Sequence, residues 1–167
     1  MSALRFLSPS RCEPETLASP LRRALDGVDP ELVADLSLRG IVEIRGDVES
    51  VDPREGEELV RLSPHRALLL TYGAPAATVE RLRAEEALAY DMTGGYAGFA
   101  VEGEQLMRRL TDLDLARLPA AGPFARVPAI VIRDEGERFR VYVAQELGHD
   151  VMGAVLDAIT GLEGARA

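Results

Sequence analysis

The sequence contains no lysine and no asparagine, so all 19 of its basic residues are arginine. That excludes a P-loop lysine, a Schiff-base lysine and a pyridoxal-phosphate anchor. The single cysteine, Cys12, can form neither an internal disulfide nor a cysteine-based zinc site, and it reads as incidental in a Pro- and Ser-containing stretch. Only two histidines are present, His65 and His149, too few for a histidine-rich metal site in one chain. His65 lies in Ser63-Pro64-His65-Arg66, a turn pattern, and His149 follows Gly148 near the start of the last helix. Both read as surface or capping residues. No Gly-x-Ser-x-Gly elbow exists to present a nucleophilic serine. No Gly-x-Gly-x-x-Gly follows a strand, so the usual dinucleotide fingerprint is missing; Gly94-Gly95 reads as a turn. No apolar run reaches the roughly 18–20 residues that span a bilayer. The opening Met1–Ser8 lacks a basic-then-apolar secretory pattern, so a cytoplasmic protein with no membrane partner is expected. Net charge is −9 at pH 7, which disfavours a nucleic-acid partner, and no cluster of arginines along the chain suggests a local basic patch.

What is present fits a folded chain. Its 167 residues, 47% hydrophobic, are enough for one domain or two very small ones. Residues 1–30 hold three prolines before Pro30 and little periodicity, and read as an arm or a short helix over Leu17–Leu25 rather than core. The remainder, 31–167, divides into halves of about 33–90 and 91–161. Gly40–Arg45 is the first convincing strand, with Val42 and Ile44 on one face. Asp47–Glu58 carries six acids against Arg54 and reads as a solvated loop. Glu58–Leu62 and Arg66–Tyr72 form a hairpin through the Ser-Pro-His turn. Gly73 and Pro75 then open a helix to about Glu86, with Val79 and Leu82 as its apolar edge.

In the second half, Ala97, Phe99 and Val101 mark a half-buried strand. Leu106, Leu110 and Leu113 recur at helical spacing. Ala116–Pro123 reads as a loop. Val127–Ile132 is a strand with Pro128 at a sheet edge or strand start. Asp134–Glu137 is a hairpin turn into Arg138–Val143, whose Phe139, Val141 and Val143 point inward. The last helix, Leu147–Thr160, is expected to close at Gly161. A weak internal repeat sets Asp35-Leu36-Ser37 and Gly40–Gly46 beside Asp91-Met92-Thr93 and Gly98–Gly103, and Arg66–Glu86 beside Arg138–Thr160. The expected fold is therefore α+β: two degenerate βαβ-like repeats, each hiding helices on one face of an antiparallel or mixed sheet.

The block from Asp91 to Ile159 runs through Asp-Met-Thr, a strand ending in Val-Glu-Gly, Leu106–Leu110, Asp112-Leu113-Asp114-Leu115, Arg126–Ile132, Phe139–Val143 and the closing helix. In order and spacing it resembles the folate-binding domain of the glycine-cleavage T-protein superfamily. Within that group it is most similar to the gamma subunit of heterotetrameric sarcosine oxidase, and Leu59–Leu70 resembles that subunit's strand–turn–strand block. The resemblance covers about residues 33–160. It implies a small noncatalytic accessory subunit of a flavin-dependent sarcosine or N-methyl amino acid oxidase linked to folate one-carbon transfer. On that reading, flavin and NAD sit in partner oxidase subunits, no cofactor belongs to this chain itself, and tetrahydrofolate is a candidate ligand. T-proteins carry a catalytic aspartate after a Gly-rich turn, which this chain lacks, so no catalytic residue is carried over. Asp114 falls where the family's Leu-x-Asp-Leu element lies near the ligand pocket. Tyr96 and Arg126 are the other candidate ligand-binding residues, Arg126 by offering planar donors to a carboxylate. No metal ligand is expected.

Two other readings stay open beside the subunit. One is a stand-alone folate-binding protein, for which measurable folate affinity is expected. The other is a ligand-free interaction module docking through Asp47–Glu58 or the N-terminal arm. An independent hydrolase has no assignable acid/base pair.

Overall fold

A computed structural model describes residues 18–165. Nine strands and three α-helices appear in it. The strands are β1 (Val33–Asp35), β2 (Gly40–Arg45), β3 (Glu57–Ser63), β4 (Arg66–Thr71), β5 (Leu88–Asp91), β6 (Tyr96–Glu102), β7 (Ala120–Phe124), β8 (Val127–Arg133) and β9 (Arg138–Ala144). The helices are α1 (Pro75–Ala84), α2 (Glu104–Leu110) and α3 (Gly148–Gly164). One sheet has the order β3-β4-β2-β5 and the other β1-β6-β9-β8-β7. Every pairing is antiparallel. Among the described residues no helix is long and apolar enough to cross a membrane.

The class is the expected α+β, with antiparallel sheets. The two sheets stack face to face. Ile41, Val60, Leu68 and Leu70 of the first meet Ile130, Ile132 and Tyr142 of the second. Helix α1 covers the outer face of the first sheet, placing Val79 and Leu82 on Val42, Ile44, Leu69 and Ala89. The outer face of the second sheet supplies Phe99, Val101, Phe139, Val141 and Val143 to the largest core. Leu106 and Met107 of α2 and Val151, Met152 and Val155 of α3 cover that face. Four layers result, and they explain why the central strands are buried on both faces.

The internal repeat survives as strand order. With β7 set aside, β8-β9-β6-β1 matches β3-β4-β2-β5, with β1 standing where β5 stands. The chain thus crosses over at its start: β1 precedes β2 in sequence but pairs with β6, Val33 opposite Val101.

Several local readings change. The strand through Phe99 is not half-buried, because Gly98 on its other face lies against Tyr142, so near that an added Cβ would stand 2.7 Å from the ring. Ala120–Phe124 is a strand rather than loop. Ala, Gly and Pro are poor strand formers, but Gly122 lets Leu113 lie across it, where a Cβ would come within 2.6 Å of the leucine. Pro123 and Pro128 face each other. Pro128 sits near the start of β8, where its missing N–H is tolerated. Leu113 lies beyond the end of α2. Gly161 does not close the last helix, which continues to Gly164. Instead it is a notch, with the Arg109 guanidinium 3.1 Å from where its Cβ would be.

The N-terminal region also differs from expectation. Leu17 lies outside the described residues, as does Cys12. Leu21, however, is fully buried in the largest core, with Ala24, Leu25 and Val28 packed beside it. Gly148 helps make this room, since a Cβ there would meet Ala97 at 2.6 Å. The acidic stretch is not simply solvated. Val48 and Val51 are buried beneath it. Glu57 accepts hydrogen bonds from Thr78 and Arg81 of α1, the latter at 2.6 Å.

Candidate functional site

Arginine, the only basic residue type besides histidine, appears in three arrangements. The first bridges the sheets. Arg140 on β9 is held by Glu58 on β3, with Nη1 donating to Oε2 at 2.7 Å and Nη2 to Oε1 at 2.6 Å. Its Nε and Nη2 also donate to Asp134 Oδ1, at 2.9 and 2.6 Å. Register explains the meeting: Glu58 lies opposite Leu70 and Arg140 opposite Ile132, two residues of the inter-sheet core. The Arg140 hydrogen bonds hold the Glu58 carboxyl below its ordinary value of 4.5, against the opposing effect of burial. Burial works against the Arg140 charge too, but the two carboxylates more than compensate and raise its pKa. Two residues along the strand, the buried Tyr142 hydroxyl makes no hydrogen bond of good geometry among the described residues; burial pushes its pKa up, against the opposing effect of the nearby Arg140 and Arg39.

The second arrangement lies at another margin of the same interface. Glu43, only 4% exposed, accepts from Arg45 Nε at 2.8 Å and Arg66 Nε at 3.1 Å. Burial would raise the Glu43 pKa, but the two arginine hydrogen bonds and charges outweigh it and the net direction is down. Arg66 also reaches the Tyr96 hydroxyl at 3.4 Å. Desolvation is the main reason the Tyr96 phenol is raised, with the nearby Glu43 carboxylate adding to it. Tyr96 lines a cleft of about 330 Å³ with Ser37, Leu38, Asp91, Thr93 and Gln145.

The third arrangement is a cleft of about 520 Å³ lined by Arg108, Arg109, Thr111, Asp112, Arg126 and Ala154, among others. Arg108 and Arg109 come from the last turn of α2. Arg126 comes from the two-residue turn joining β7 to β8, in which Ala125 has φ 46° and Arg126 φ 69°. Both central residues in the left-handed region is the pattern of a hairpin turn that usually takes Asn-Gly. The Ala125 N–H donates to the Leu110 carbonyl at 2.6 Å, and the Thr111 hydroxyl donates to the Pro123 carbonyl at 2.6 Å, tying the turn to the end of α2. A local concentration of arginines therefore exists, contrary to the reading along the chain. Two adjacent arginines were its only signal; the third is distant in sequence.

The structure does not gather Tyr96, Asp114 and Arg126 into one cleft. Tyr96 and Arg126 line different ones. Asp114 lines neither; it caps a short 3-10 turn, Leu115–Arg117, by accepting from the Ala116 N–H at 3.1 Å. Among the described residues no group of three or more His, Cys, Asp or Glu is placed to hold a metal ion.

The fold defined above is a four-layer α+β sandwich with helices outside two antiparallel sheets. No known family profile matches the chain, and no curated protein matches it in sequence. Among solved structures, the chain is similar to one from the heterotetrameric sarcosine oxidase of Corynebacterium sp. U-96, solved in complex with pyrrole 2-carboxylate. The TM-score is 0.74 at 14% identity, covering 87% of this chain and 95% of that one. At that identity the likeness is one of fold.

Proposed function

We propose that this chain is an accessory subunit of a multisubunit oxidase of the sarcosine oxidase type, without catalytic residues of its own. The observation that carries the reading is the fold match, which spans almost the whole of a chain belonging to a heterotetrameric oxidase. The two chains are thus of comparable length, so the likeness is not to one domain of a larger catalytic polypeptide. The resemblance of Asp91–Ile159 to the gamma subunit, drawn from residue order alone, points the same way. On this proposal the oxidase partners hold the flavin and the nicotinamide cofactor, and this chain contributes an interaction surface. Its exposed large side chains Leu38, Tyr72, Leu88 and Tyr90 suit that role, tyrosine being frequent at binding hot spots.

The test is purification of the tagged chain from its own cells, with an absorbance scan and mass spectrometry. Stoichiometric co-purification of flavin-containing oxidase subunits is the expected result. A colourless chain with no oxidase subunit would overturn it. Titration of the isolated chain with tetrahydrofolate then decides the folate-binding alternative.

A further inference from the structure

We infer that the cleft between the end of α2, the β7–β8 turn and α3 is a binding site for a small oxyanion, a carboxylate or phosphate group of a soluble ligand. This inference does not depend on the subunit reading. The protein carries a net charge of −9, yet here three arginine residues and a single carboxylate residue, Asp112, line one cleft. Arg108 is partly neutralised by Glu104, 2.6 Å away. Arg109 and Arg126 have no carboxylate within 4.0 Å among the described residues, whereas Arg45, Arg66, Arg81, Arg133 and Arg140 all do. Guanidinium groups offer paired N–H donors matched to carboxylate and phosphate oxygens.

Two features of the surroundings bear on an anion here. A helix C-terminus normally repels negative charge through its unpaired carbonyls. At α2 the Leu110 carbonyl is occupied by the Ala125 N–H and the Met107 carbonyl by the Thr111 N–H. In addition, Arg126 is presented from a strained position. Left-handed backbone at two successive non-glycine residues is costly, and such strain persists where the surroundings hold it in place. A glycine at either position would relax the turn. Arg109 is exposed, and its guanidinium passes beside Gly161 of α3. The volume, about 520 Å³, suits a small ligand rather than a macromolecular strand.

The experiment is calorimetric titration of the full chain with citrate and, separately, inorganic phosphate, against chloride at equal ionic strength. Saturable binding of either anion is expected, and the better of the two names the oxyanion class. Arg109→Gln and Arg126→Gln should each weaken it by about tenfold or more, as loss of a charged hydrogen-bond donor does. Asp112→Asn, which removes the competing carboxylate, should tighten it. Arg61→Gln, an exposed arginine of β3, should leave it unchanged. Thermal melts of each variant check that the fold persists. Absence of saturable binding by the unaltered chain, or equal weakening by Arg61→Gln, would overturn the inference.

Discussion

Arg140 and Arg126 are the same residue type in opposite circumstances. Arg140 is only 8% exposed and meets two carboxylates from two different strands or turns, so its charge is spent inside the protein as a clamp between sheets. Arg126 is exposed, stands on a strained turn and faces a cleft with two other arginines. The difference teaches that an arginine's role is set by what the fold places opposite it. Where Glu58 and Asp134 arrive, the guanidinium is structural. Where no carboxylate arrives, the guanidinium stays exposed and without an acidic partner among the described residues.

The comparison breaks most clearly at Arg140. Arg140→Ala leaves Glu58 and Asp134 facing each other without a cation. The expected loss is about 3 kcal/mol, the low end for breaking a buried ion pair because Glu58 is half exposed. Urea unfolding measures it, and the corresponding Arg126→Ala should change stability little. Gly98→Ala probes the same interface from the packing side. Its Cβ would meet the Tyr142 ring at 2.7 Å and the Leu36 carbonyl oxygen at 3.3 Å, and the expected cost is about 2 kcal/mol.

Acid tests the clamp by titration. The Glu58 pKa lies below 4.5 in the folded chain because Arg140 hydrogen-bonds its charged form, and those of Glu43 and Glu57 are also lowered. A lowered folded-state value means the unfolded chain takes up protons first as pH falls. The stabilisation is therefore complete well above pH 4.5 and is lost as pH drops through the lowered values. Glu58→Gln should show a lower plateau and a shallower acid slope in melts followed against pH. The smallest effect belongs to the other side of the comparison. Ala125→Gly removes left-handed strain at φ 46° but adds freedom to the unfolded chain, for a net gain of about 0.5 kcal/mol. A small rise in melting temperature checks it.

The legible parts of the fold were those whose neighbours in sequence are also neighbours in space. The β3–β4 hairpin, α1 opening at Pro75 and the alternation of Arg138–Val143 were readable because turn chemistry and periodicity are local signals. β7 was not, since its Ala-Ala-Gly-Pro-Phe sequence becomes a strand only because β8 pairs with it and Leu113 lies over Gly122. Of the candidate residues, Tyr96 lies in a different cleft from Arg126, and its partner Arg66 carries no signal in the sequence. Asp114 caps a short turn, a role that a Leu-x-Asp-Leu pattern does not separate from ligand binding. Arg126 offers planar donors that residue type alone reveals, whereas the adjacency of Arg108 and Arg109 along a helix says nothing of what lies across from them.

The sequence by itself determined the α+β class, most strands and helices, and the exclusion of lysine chemistry, because those follow from residue types and short-range spacing. Only the tertiary structure decided that β1 crosses to the second sheet and that both sheets are buried on two faces. It also decided which arginines are neutralised and which are left open. Each of these depends on residues far apart in the chain arriving at one place, and the energy of a charge or an apolar face is set by what it meets there.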